Sequence, residues 1–158
     1  MLDEAVQARM LAGEDITVHI DPVEDLARTL TAKGERQAER MAQWLNQRLT
    51  ESTRVLVSPA QRTQQTALAL GRSFKTVRAI NPQASVDDLI EAARWPKSKD
   101  PVLLIGHQPT LGMLAARLLT GQDLAWSVRK GAVWWLRSRD REGEPQVTLQ
   151  AVQTPDFL

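Results

Sequence analysis

The chain has 158 residues, 42% hydrophobic and 25% charged, which suits one soluble domain with a sizeable core. It has no cysteine, so a disulfide framework, a thiolate zinc site and a cysteine nucleophile are all excluded. The net charge of +1 is uneven: residues 1–25 carry seven acids against Arg9 alone, and the rest is modestly basic, which suits an anionic ligand, with plain surface solubility as the alternative, and lacks the dense stripe of a nucleic-acid binder. No apolar run reaches the roughly 20 residues that cross a bilayer. The acidic start also lacks the pattern of a secretion signal, so a cytoplasmic protein without membrane contact is expected.

In chain order, ITVHI (16–20) reads as a first strand. Residues 31–49 place Ala38, Met41, Ala42, Leu45 and Leu49 on one helical face, with Thr31 in the cap region. TRVLVSP is a short strand stopped by Pro59, and AQRTQQTALALGRSF is a helix with Gly71 near its end. KTVRAI (75–80) reads as a strand, and SVDDLIEAARW as a helix with Ser85 as its N-cap and acids in its first turn. PVLLIG is an apolar strand; PTLGMLAARLLTG is a helix that starts at Pro109 and stops at Gly121. GAVWWLRSRD and PQVTLQAV, joined by REGE, form an antiparallel hairpin. On it Trp134 and Trp135 face opposite sides, one expected in the core and the other toward solvent or a partner; Trp44 is expected in the core. The alternation of strand and helix predicts an α/β three-layer sandwich: a mostly parallel sheet, helices on both faces and a C-terminal antiparallel hairpin. One domain over 1–158 is expected, with 1–25 as an atypical N-terminal segment.

Ligands of such sheets sit beyond the carboxyl ends of the strands. His107 follows VLLIG directly, and the helix beginning near Pro109 turns its free N–H groups to the same crevice, which suits an anion. The alternative is a buried histidine satisfied by hydrogen bonds. Arg62 falls in the first turn of the helix after TRVLVSP, where its charge opposes the helix dipole unless an anion offsets it. The alternative there is an arginine facing solvent. The block RTLTAKGERQ (28–37) reads alone as a loop and a capped helix, and Glu35 and Asp87 as exposed helix acids.

RTLTAKGERQAERMAQWL, RVLVSPAQRTQQTA and VLLIGHQPTLG, in this order and spacing and followed by KGAVWWL, resemble the histidine phosphatase superfamily, and within it the small SixA-like phosphohistidine phosphatases. The resemblance covers residues 26–158. It implies a phosphohydrolase without metal or cofactor. A histidine takes the phosphoryl group from phosphohistidine in a protein, or from a small phosphoester, and water then releases it. Two arginines and a second histidine hold the phosphoryl oxygens. It implies Arg62 as the arginine of the SP-x-x-R block and His107 as the second histidine. It also implies phosphorylated partners, such as a histidine-phosphotransfer domain of a phosphorelay, and a place in signal transduction.

The family's Arg-His-Gly motif at the end of the first strand is absent. His19 is the only other histidine, and Val18 and Ile20 flank it. Three readings follow: His19 is a displaced nucleophile; the chain binds phosphate or a phosphoprotein without turnover; or residues 1–25 do not represent this fold's own first strand.

Overall fold

The computed structural model describes residues 7–12, 15–20 and 26–158, the first two stretches by their backbone pairing. Strand β1 (Gln7–Ala12) pairs antiparallel with β2 (Asp15–Ile20). Then come α1 (Ala32–Asn46), β3 (Arg54–Val57), α2 (Gln61–Ala69), β4 (Lys75–Thr76), α3 (Val86–Ala93), β5 (Val102–Ile105), α4 (Thr110–Thr120), β6 (Val133–Arg141) and β7 (Glu144–Gln153). The sheet order is β4-β3-β5-β2-β6-β7, with β1 joined to β2 off that path. β4, β3, β5 and β2 run parallel, whereas β6 and β7 close the sheet antiparallel. This is the expected α/β sandwich.

The strand sequences explain the layers. Val55 and Val57 of β3, with Leu103 and Ile105 of β5, pack with Met41, Ala42 and Leu45 of α1 and Ala67 of α2. Leu56, Val102 and Leu104 point the other way and pack with Leu89 of α3 and Leu111, Leu114 and Ala115 of α4. A strand's period of two sends alternate residues to opposite faces. All four residues of β5 are therefore buried, as a strand with helices on both sides requires.

The helix ends follow their signals. Thr31 Oγ1 accepts from Gly34 N–H at 3.0 Å. Ser85 and Asp88 form a reciprocal capping box, and Gly121 ends α4 at φ +82°. The REGE connection tightens to a two-residue loop, Glu142-Gly143, both at positive φ.

Two expectations need correction. Only Lys75–Thr76 of the expected strand KTVRAI pairs with β3; Arg78–Ile80 is a 3-10 turn. Val77 and Ile80 both pack toward the α3/α4 core, and their spacing of three suits that turn, where a strand would send them to opposite faces. The two hairpin tryptophans are not split between core and solvent. Both are half-buried: Trp135 meets Trp44 edge-on at 6.4 Å, and Trp134 meets Trp126 at 6.0 Å. Among the described residues, no helix is long and apolar enough to cross a membrane.

Candidate active site

β3 and β5 lie side by side in parallel register, so their carboxyl ends open on one edge. From Val57 the chain turns through Ser58 and Pro59 into α2. From Ile105 it turns through Gly106 to Pro109 into α4. Ser58 N–H donates to the Ile105 carbonyl at 3.0 Å, which carries the strand pairing one residue beyond β3 and fixes one loop against the other.

Ser58 Oγ then lies 2.5 Å from His107 Nε2. Ser58 is fully buried and His107 is 3% exposed, so this bond is sheltered from water. The Ala60 N–H meets the same hydroxyl oxygen at 3.3 Å. The hydroxyl can donate to Nε2 or accept from it, according to which ring nitrogen carries the proton. The Ser58 carbonyl is held as well: Thr63 Oγ1 and Gln64 Nε2 each donate to it at 2.9 Å. Thr63 Oγ1 also donates to the Ala60 carbonyl at 2.7 Å. These bonds set the first turn of α2, whose N-cap residue Ala60 offers no capping side chain.

Arg62 sits in that turn and is only 1% exposed, which rules out a solvent-facing arginine. A buried guanidinium needs acceptors or a counter-charge around it. Thr66 Oγ1 donates to the Arg62 carbonyl at 2.9 Å. Gln65 reaches back to the first sequence block, its Oε1 accepting from Leu30 N–H at 2.7 Å. Gln61 N–H donates to the Leu26 carbonyl at 2.9 Å. The loop of residues 26–31 is thereby laid along the start of α2, with Arg28 itself exposed.

Gln108, beside His107, accepts from Gly112 N–H at 2.8 Å and donates to the Trp126 carbonyl at 3.1 Å. A Cβ on Gly112 would come within 1.8 Å of that carbonyl oxygen, so only glycine lets the 122–132 segment approach α4.

The structure thus brings Arg62, His107 and the 26–31 loop to one edge of the sheet. His19 belongs to β2, where Thr17 is level with Leu103 of β5 in parallel register. His19 follows that bridge by two residues, near the carboxyl end of β2. The His19 side chain lies outside the described residues, as do residues 21–25. Asp87 is on α3 and pairs with Arg117. Among the described residues, no group of three His, Cys, Asp or Glu side chains could hold a metal ion. Sequence reasoning missed Ser58, Gln65 and Gln108. Ser58 was legible as a turn residue, but its partner comes from the neighbouring strand.

A family model, the histidine phosphatase superfamily (branch 1), matches residues 22–92. The phosphohistidine phosphatase SixA of Escherichia coli is 34% identical over 112 residues, covering 65% of this chain and 69% of that protein. The SixA homolog of Haemophilus influenzae is 34% identical over 110 residues, covering 60% and 66%. Among solved structures, the protein histidine phosphatase SixA complexed with tungstate shares 27% identity at a TM-score of 0.67, over 90% of this chain and 96% of that one. A SixA structure from Nakamurella multipartitia, at 23% identity, matches the fold with a TM-score of 0.70 over 95% and 96% of the two chains. The chain belongs to the histidine phosphatase superfamily, in its SixA-like group.

Proposed function

We propose that this chain is a metal-independent phosphohydrolase acting on phosphohistidine in a protein, such as a phosphorelay histidine-phosphotransfer domain of the cytoplasm, or on a small phosphoester. The observation that carries this reading is the pairing of two buried groups on one strand edge: the Arg62 guanidinium, and His107 held on Ser58. A guanidinium can grip two phosphoryl oxygens through parallel hydrogen bonds. The His107 imidazole, oriented by the Ser58 hydroxyl, would add a further hydrogen bond to a phosphoryl oxygen. The tungstate bound by the SixA relative is, like phosphate, a tetrahedral oxyanion, which supports the same class of ligand here.

His19 would be the nucleophile. Its ring nitrogen attacks phosphorus, the substrate's P–N or P–O bond breaks, and the leaving imidazole or alcohol takes up a proton. Water then attacks the enzyme's phosphohistidine, releasing inorganic phosphate and restoring the imidazole. Imidazole leaves readily, so a phosphohistidine substrate needs no strong general acid. Arg62 and His107 would offset the charge that develops on the phosphoryl oxygens.

One observation favours a second reading, a domain that binds phosphate or a phosphoprotein without turnover. Val18 and Ile20 stand where the family has arginine and glycine. Rapid quenching after mixing with a radiolabelled phosphohistidine peptide separates the two. The phosphatase reading predicts an acid-labile, base-stable label on the chain that disappears in His19→Gln. A chain that takes no label, yet is protected from heat by inorganic phosphate, is the binding domain instead.

A further inference from the structure

Beside that edge, α1 and α2 flank an open groove of about 410 Å³. Leu30, Ala38 and Ala69 form its apolar base, Leu68 stands on its rim, and the Glu35 and Glu39 side chains complete the lining. We propose that this groove docks a basic, partly apolar segment of the phosphorylated protein substrate. The inference rests on the phosphatase reading above and adds to it the chemistry of the partner's surface.

Charge and exposure carry the assignment. Glu35 and Glu39 are one helical turn apart on the same face, and both line the groove. Both are exposed, and neither is in an ion pair among the described residues. Lys33, Arg36 and Arg40 share α1 but do not line the groove, so its own charge is purely acidic. An acidic partner would be repelled, whereas lysines or arginines would meet both carboxylates. Leu68 is 67% exposed, an unusual place for a large aliphatic side chain, and it offers the apolar half of the contact.

Position links the groove to the chemistry. Gln65 lines the groove, lies three residues beyond Arg62 on α2, and bonds the Leu30 backbone. Leu68 is six residues beyond Arg62, about 9 Å along the helix axis. A phosphohistidine held at Arg62 therefore brings its surrounding surface over the groove. A free phosphoester is too small to reach it.

The test uses the full chain and two synthetic amphipathic peptides, each carrying one phosphohistidine, one built of leucine and lysine and the other of leucine and glutamate. Amide shifts in the labelled chain report docking, and phosphate release reports turnover. Expected are shifts at Leu30, Glu35, Glu39 and Leu68 with the lysine peptide alone, and a KM about tenfold lower for it at equal kcat. Glu35→Gln/Glu39→Gln keeps good helix formers in α1 and should abolish the preference, leaving hydrolysis of an aryl phosphate unchanged. Leu68→Ala should weaken docking of the lysine peptide. Equal KM values for the two peptides, a preference that survives the double substitution, or shifts elsewhere would overturn the docking proposal. Groove shifts without any phosphate release would support docking while overturning the phosphatase reading.

Discussion

His107 is held by a serine 49 positions away in sequence, through a buried bond in which each partner satisfies the other. Removing the hydroxyl leaves a buried ring nitrogen unsatisfied, a loss of about 1–3 kcal/mol. Ser58→Ala should therefore lower stability by that amount in chemical denaturation. It should also lower kcat more than it raises KM, because the ring loses its fixed tautomer. With only two histidines in the chain, a ¹⁵N-imidazole spectrum can follow the tautomer directly: a single tautomer in the wild type and a tautomer mixture in Ser58→Ala. An unchanged spectrum would contradict the orientation argued here. At this scale the sequence showed where Arg62 and His107 stand, because each follows a strand with a turn signal. It could not show Ser58 as the partner, since that contact exists only once β3 and β5 are neighbours.

Local signals marked three helix ends well, because Thr31 before α1, Ser85 before α3 and Gly121 after α4 were each readable within a few residues, whereas α2 has no capping side chain. The 75–80 segment misled because Val77 and Ile80 are β-branched and apolar, yet their burial follows a spacing of three. Between elements, Arg117 of α4 binds Asp123 in the following loop and Asp87 of α3, both at 2.5 Å. The Arg117 hydrogen bonds hold the Asp123 carboxyl below its ordinary range, and the same pairing raises the Arg117 guanidinium. Asp88 is lowered too, first by the Ser85 backbone N–H and then by the Ser85 hydroxyl. A depressed carboxylate stabilises the fold above its unfolded pKa, about 3.9 for Asp, and loses that contribution as pH falls through the lower folded value. Asp123→Asn should accordingly lower Tm near neutral pH, modestly for so exposed a pair, and the difference from wild type should vanish in strong acid. A difference that persists in acid would show that the pairing does not act through charge.

Across the whole molecule, function follows from the parallel run of β3, β5 and β2, which turns three carboxyl ends to one edge. The sandwich was legible because VLLI, apolar throughout, demands helices on both faces. In the N-terminal segment ITVHI was legible as a strand and forms β2, whereas QARMLA, which was not read as one, forms β1. The neighbours of β2 were not legible: it bridges β5 at Thr17↔Leu103 and β6 at Ile16↔Leu136. Those pairings reach across 86 and 120 residues of sequence, which local pattern does not encode. They make β2, which carries His19, the neighbour of β5, although no Arg-His pair announces it. The most direct test of the account is phosphate release from a phosphohistidine peptide by the chain as written, in the presence of a metal chelator, beside Arg62→Ala. The account predicts turnover that the chelator leaves unchanged and that falls by about 10²–10³ in the variant. No release by the intact chain, or release that Arg62→Ala leaves untouched, would contradict it.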